Sequence, residues 1–243
     1  MYRKSKFYIV TILLTIASIK GVVISIENFE KEIGYYCLAD LFTQYCSPLL
    51  IGFFILPVMM LFISSLNKRY ENPCAILSFG SRENIYKSRI KNSVIVIFKF
   101  ITVLTLTLFI YCKLRFPELP LINWNSTESF FCDITNGTID IGFQWILFLF
   151  ISGLFFSSLV ISFLMLIITE LTNSKAYAWV VFLILMVNEL FFPKFAILVG
   201  HCLLKYDFMI NQMLIIKYIL IASLEISIFN FLGKSAFSKK DFL

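Results

Sequence analysis

The sequence predicts an all-α membrane protein: six transmembrane helices, both termini cytoplasmic, and a short broken or re-entrant outer helix between spans 5 and 6. Three observations predict it. The 243 residues are 59% hydrophobic and 15% charged, whereas soluble domains carry about 25% charged residues. Apolar runs of about 20 residues, the length that crosses a hydrocarbon core, recur along the chain. Lys and Arg are unevenly divided between alternate loops. With 28 Phe and a mean hydropathy of +0.87, one globular core cannot hide the apolar surface, so a bilayer is the natural solvent. Residues 1–243 read as a single transmembrane domain.

Taken in order, span 1 covers residues 7–26, span 2 residues 48–66, span 3 residues 93–111 and span 4 residues 143–168. Span 5 starts near Ala176 and span 6 covers 213–232. Arg3, Lys4 and Lys6 ahead of span 1 resemble a signal-peptide n-region, but no small-residue cleavage site follows, so the helix is expected to be retained. With the N-terminus inside, the inner segments hold Arg3, Lys4, Lys6, Lys68, Arg69, Arg82, Lys87, Arg89, Lys91, Lys175, Lys234, Lys239 and Lys240. The outer segments hold Lys31, Lys113, Arg115, Lys194 and Lys205. The excess of Lys and Arg marks the cytoplasmic side.

Span 5 has two readings. "AYAWVVFLILMVNELFFPKFAILVGHCLL" is apolar for longer than one crossing, but Asn188, Glu189, Pro193 and Lys194 interrupt it. Residues 195–204 are then too short to span and read as re-entrant or interfacial; the other reading is one long tilted helix with a Pro kink. The outer loop 113–142 carries sequons at Asn125 and Asn136, which matter in a eukaryote and are coincidental in a bacterium. Abundant Ile, Phe, Lys, Asn and Tyr hint at an AT-rich bacterial genome, which would put the chain in the cytoplasmic membrane.

The segment 72–92, "NPCAILSFGSRENIYKSRIKN", is the longest polar stretch. Asn72 suits an N-cap and Pro73 the first helical position. Gly80 suits a left-handed C-cap and Ser81 a second N-cap. The pattern is a short helix with an apolar surface, a turn, then a basic helix running into span 3. A basic loop resting on lipid headgroups would account for the charges, and a docking role accounts for the apolar helix as well.

Six spans with both ends inside, this helical loop, and the broken stretch after span 5 resemble an ABC-2-type transporter permease. "FGSRENIYKSRIKNSVIVIF" is similar to the segment entering span 3 in small Gram-positive permeases that export or resist antimicrobial peptides. Only six residues precede span 1, so the family's amphipathic N-terminal helix is expected to be short or missing. The resemblance implies a coupling helix docking on a separate ATPase through Asn72, Pro73, Ile76, Leu77, Phe79, Gly80, Ser81, Arg82 and Tyr86. It also implies two ATPase copies, a second permease copy, and outward movement of a peptide or amphipathic substrate. No G-x-x-x-x-G-K-[ST] loop occurs in the chain. The chain itself is expected to need no cofactor, with ATP and magnesium held by the partner.

Charges inside a bilayer need a partner or water. Lys20 and Lys217 fall near span ends and can snorkel. Lys99 and Glu225 fall at similar depth and are expected to face each other or share a polar cavity; the alternative is that Lys99 snorkels and Glu225 is protonated or hydrated. Asn230, Asn188 and Glu189 join them as candidate lining of a transport path. Small polar residues in span 1 (Thr11, Thr15, Ser18), span 4 (Gly153, Ser157, Ser158, Ser162) and span 6 (Ser223, Ser227) read first as helix-packing faces.

No C-x-x-C occurs; Cys37 with Cys46 reads either as an outer disulfide or as two free buried thiols. One histidine, His201, gives little support to a metal site or to nucleophilic catalysis. An intramembrane enzyme is therefore disfavoured. Nucleic-acid binding is too, since no basic run with interleaved aromatics lies outside the spans. The remaining rival to the transporter is a stand-alone immunity or sensor protein that binds an antimicrobial peptide without an ATPase.

Overall fold

A computed structural model describes residues 2–27, 36–67, 79, 81–192, 200 and 204–238. Among them every regular element is helical. The order is α1 (Tyr2–Glu27), α2 (Leu38–Tyr45), α3 (Pro48–Leu50), a π-helical turn (Ile51–Ile55), α4 (Leu56–Asn67), α5 (Arg82–Arg115), α6 (Phe130–Thr135), α7 (Phe143–Thr172), α8 (Lys175–Phe191), α9 (Tyr206–Ile210) and α10 (Gln212–Ser238).

Among the described residues four segments are long and apolar enough to cross a membrane: Pro48–Ser65, Arg82–Arg115, Phe143–Thr172 and Met213–Phe237. They contain the expected spans 3, 4 and 6 and all but the last residue of span 2. Of the other two expected spans, α1 (Tyr2–Glu27) shows an apolar stretch at Phe7–Gly21 among the described residues, and α8 has 17 residues. Helix α8 stops at Phe191, where the sequence break begins; residues 193–199 and 201–203, which carry most of the re-entrant expectation and His201, lie outside the described residues.

Helix α7 is central, packing against α10, α8, α5, α2 and α4. Its small residues make this close packing feasible: Ser157, Ser158 and Ser162 are all buried. Helix α1 lies mainly on α5, with Thr11 and Thr15 fully buried and bonded back to the carbonyls of Phe7 and Thr11. These residues are packing faces, as expected, whereas Ser223 and Ser227 of α10 are exposed and their expected packing role is not met in this chain. Helix α10 is the most peripheral of the four long segments, with 11% of its apolar window buried.

The π-helical turn was not foreseen. It widens the second segment by one residue per turn, a distortion that needs a local reason. Gly52 lies in it, fully packed against α8: a Cβ there would come within 2.9 Å of Met186 Sδ. The missing side chain sets how closely the two helices approach.

At one end of the bundle α2, the 116–142 loop and α9 form a cap. The amides of Leu38 and Ala39 donate to the carbonyls of Pro120 and Leu121 at 3.0 and 3.2 Å, satisfying the open N-terminus of α2. Asn136, one of the two sequon residues, ends α6 in a left-handed conformation (φ 54°). The four described cysteines, Cys37, Cys46, Cys112 and Cys132, are free thiols. The Cys37–Cys46 disulfide is excluded here by geometry: the two residues flank α2, about 13 Å apart along its axis, and a disulfide needs Cα atoms within about 7 Å.

Candidate functional site

The end of the bundle opposite the cap gathers most of the chemistry. Helix α5 runs 34 residues, about 51 Å, against a hydrocarbon core of about 30 Å. Its first turns therefore project beyond the apolar layer. Ser81 caps the helix, its Oγ accepting from the Asn84 amide at 3.2 Å. Phe79, immediately upstream, is held by its carbonyl, which accepts from Asn84 Nδ2 at 3.1 Å.

Three interactions tie this projecting part to the rest of the bundle. Arg89 Nη1 pairs with Glu170 Oε1 of α7 at 2.8 Å, with side-chain exposures of 8% and 15%. Tyr86 Oη donates to the Asn230 carbonyl and Oδ1 of α10, both at 3.1 Å. Glu83 bridges Lys87 of its own helix and Lys234 of α10, each at 3.0 Å. Phe237 closes the cluster, its ring 5.0 Å from that of Tyr86 and 5.3 Å from the Arg89 guanidinium carbon. Gly233 makes room: a Cβ would meet Tyr86 Oη at 2.5 Å.

Arg89 is buried because it shares the helical stripe of Ile85, Ser93, Val96 and Phe100, all of which face the core. A cation in phase with an apolar stripe was the available signal for it, and Glu170 at the end of α7 was its natural partner. A buried pair of this kind adds little net stability but is costly to break. Arg89 Nε and Ser162 Oγ are in addition buried without a hydrogen-bond partner, an arrangement worth about 1–3 kcal/mol of destabilisation per group when nothing fills it.

The expected docking residues divide. Asn72, Pro73, Ile76, Leu77 and Gly80 lie outside the described residues. Phe79, Ser81 and Arg82 are half-buried at the start of α5. Tyr86 is 3% exposed, so its ring is used for packing between α5 and α10. The structure joins it to Asn230, which the sequence had placed in a different group.

The Lys99–Glu225 expectation is corrected. Lys99 is exposed on α5, on the face opposite Ile97 and Phe100, and no ion pair joins it to Glu225. Ile95, four residues before Lys99 on the same face, and the neighbouring Phe98 are also exposed. Glu225 is half-buried on α10 and lies instead in the field of another carboxylate, Glu189 of α8. Glu225 Oε2 is buried without a partner. Glu189 is 4% exposed and accepts the Gly200 amide at Oε2. Asn188 is half-buried, and its carbonyl accepts the Phe192 amide at 2.8 Å, closing α8.

The cap holds a polar centre that sequence reasoning missed. Asp40 is fully buried. Its Oδ2 accepts from the Cys37 amide at 2.9 Å and from Cys37 Sγ at 3.1 Å. Its Oδ1 accepts from Trp124 Nε1 at 2.8 Å and Tyr206 Oη at 3.2 Å. Trp124 stacks on Phe131 with centroids 4.6 Å apart. Burial raises the Asp40 carboxyl above its ordinary value, and the four donors partly offset that. Burial and the Asp40 charge likewise raise the Cys37 thiol and the Tyr206 phenol, so neither is an activated nucleophile. One carboxylate thus collects three segments distant in sequence.

Between α1 and the α3–π turn lies an open groove of about 470 Å³, lined by Leu14, Ala17, Leu49, Leu50 and Phe54 with Ser18, Gln44 and Ser47. Ser18 and Tyr45 share a hydrogen bond at 2.7 Å at its edge. Among the described residues no group of three or more His, Cys, Asp or Glu side chains is placed to hold a metal. Compared with known proteins, the chain matches no family model, no curated protein and no solved structure.

Proposed function

We propose that this chain, a helical protein with four membrane-crossing segments, is the permease subunit of an ABC transporter. In this reading α1 and α8 complete six spans, both termini are cytoplasmic, and a peptide or other amphipathic substrate moves outward through a bacterial cytoplasmic membrane. A separate ATPase, present in two copies, docks on the loop 67–92, and a second permease copy completes the assembly. ATP and magnesium are held by the ATPase.

One observation carries the reading. Helix α5 is a continuous lever of 34 residues that begins at the loop in question, and within its first eight residues it is fastened to α7 and α10 by Arg89–Glu170, Tyr86–Asn230 and Glu83–Lys234. A push on the loop is therefore transmitted to three membrane helices at once, which is what alternating access by a rocking bundle requires. In this reading a polar path runs past Glu225, whose buried Oε2 has no hydrogen-bond partner, and Glu189, whose charge reaches it.

The test is purification of the tagged chain in mild detergent with mass spectrometry of what accompanies it. A nucleotide-binding ATPase is expected, and Phe79→Asp is expected to release it. If the chain emerges alone in every detergent that keeps it folded, the transporter reading fails. A stand-alone immunity or sensor protein, using the groove between α1 and the π turn, then takes its place.

A further inference from the structure

We infer that the groove between α1 and the π turn is a lipid site: it holds the hydrocarbon tail of one membrane lipid, with the lipid's ester group beside Gln44 and Ser47. The inference rests on the membrane-crossing segments and not on an ATPase, so it can fail while the transporter reading stands, and the reverse.

The groove exists because one face of α1 is short. Leu14, Ala17, Ser18 and Gly21 line it, at the i, i+3, i+4, i+7 spacing of a single helix face. Small residues at such positions in a membrane helix usually let a neighbouring helix close in. Among the described residues none does: Ala17 and Gly21 are exposed, and a Cβ on Gly21 would meet nothing within 4 Å. Opposite stand Ser47, Leu50 and Phe54. Phe54 belongs to the π turn, a form that recurs at functional sites, and Gly52 of the same turn packs on α8 instead.

Position selects the class of occupant. Gly21 ends the apolar stretch of α1, and Pro48 begins the next membrane-crossing segment. The groove therefore starts at an edge of the hydrocarbon layer and runs inward along both walls. Its polar side chains, Ser18, Gln44 and Ser47, lie towards that edge, and Leu14, Leu50 and Phe54 lie deeper. Gln44 is half-buried, and its carboxamide has no hydrogen-bond partner among the described residues, so it is free to donate to an ester carbonyl. No described lining side chain is charged, so nothing there selects an ion. The flanking Leu13 and Leu49 are 61% and 50% exposed, and a tail enters between them from the side without leaving the bilayer.

Size excludes wider occupants. The groove holds about 470 Å³. Spread over the roughly 10 Å from Leu14 to Gly21, that leaves a cross-section of about 45 Å², against about 80 Å² for a helix 10 Å across. A helix from a second copy or from a bound peptide is too wide, and an extended hydrocarbon chain fits.

The full chain is reconstituted in phosphatidylcholine bilayers doped with a phosphatidylcholine that carries a photoactivatable diazirine on its acyl chain. After irradiation the labelled peptides are mapped by mass spectrometry. Label is expected to concentrate on residues 14–21 and 47–54, above the level at Leu220 and Phe231, which are 65% and 73% exposed on α10. Gly21→Leu fills the groove without a clash and is expected to melt no lower than the wild type in detergent while losing the label from both walls. Ala17→Leu, at a second exposed position, repeats the test. Gln44→Leu is expected to weaken the labelling about fivefold, the worth of one hydrogen bond. Label no denser in the groove than on α10, or undiminished in these variants, overturns the inference. So does a groove that stays unlabelled while Gly21→Leu converts dimer to monomer in native mass spectrometry, which would give the groove to a second copy.

Discussion

Replacing Glu170 with Leu removes the partner of a buried guanidinium, and the structure fixes how much that costs. The Arg89 side chain is 8% exposed, its Nη1 lies 2.8 Å from Glu170 Oε1, and its Nε already has no partner. The charge has no second carboxylate to turn to within the pair. Leaving one member of such a buried pair uncompensated costs about 4 kcal/mol, which for a chain of this size lowers Tm by about 8–16 °C. Arg89→Leu is expected to cost less, since Glu170, at 15% side-chain exposure, sits nearer to water. The double variant Arg89→Leu/Glu170→Leu is expected to lie within about 1 kcal/mol of the wild type, because burying two apolar side chains replaces two desolvated charges. Thermal unfolding of the four proteins in one detergent gives the cycle directly. Additive losses, with the double variant worse than either single, would refute the claim that Arg89 and Glu170 form one buried unit rather than two surface charges. The exposed pair Glu83–Lys87 provides the contrast: Lys87→Gln is expected to leave Tm unchanged, since both side chains are largely in solvent.

Other outcomes follow from neighbouring geometry. Gly233→Ala puts a Cβ 2.5 Å from Tyr86 Oη and is expected to destabilise by about 1–3 kcal/mol through overpacking; adding Tyr86→Phe, which removes the clashing oxygen, should recover part of the loss in the same melt, and no recovery would place the strain elsewhere. Trp124→Phe removes the Nε1 donor from Asp40 and is expected to cost about 2 kcal/mol, the value of a hydrogen bond to a charged group, read by proteolysis of the 116–142 loop. Asp40 also gives a pH dependence. Its native value lies above the ordinary 3.8 because of burial, so the folded cap binds the proton more tightly than the unfolded chain. Stability is then highest below that ordinary value, falls as pH rises towards the native value, and is flat above it. Asp40→Asn should abolish this slope in a pH series of melts, and a wild type that gains stability over the same window would contradict the assignment. Oxidation of the folded protein should leave Cys37 and Cys46 unpaired, detected as two free thiols on denaturing alkylation, because α2 holds them apart.

Much of the architecture was legible because hydropathy is local. The long apolar segments, the cap at Ser81 and the end of α8 just before Pro193 each depend on residues within one or two turns. The site was less legible. Arg89 was counted among loop cations, although its phase with Ile85, Ser93, Val96 and Phe100 marked it as inward-facing. Lys99 and Glu225 were matched by depth alone, and depth does not say which way a side chain points. Tyr86 and Asn230 stand 144 positions apart, and nothing in either neighbourhood announces the other. Nothing beside Asp40 in the sequence announces its donors, which come from Cys37, Trp124 and Tyr206, in three separate segments.

The sequence by itself determined that the chain is helical and apolar enough to cross a membrane, and where most of its helices start and stop. Hydrocarbon supplies no hydrogen-bond partners, so a backbone inside it must satisfy itself turn by turn, and composition then dictates the element. Only the tertiary structure decided which polar groups meet. Arg89 found Glu170, Asp40 found Trp124 and Tyr206, and Glu225 came to lie by Glu189 rather than Lys99. Those pairings follow from the rotation and neighbours of each helix, which are set by how Gly52, Gly233 and the α7 serines let the helices close on one another.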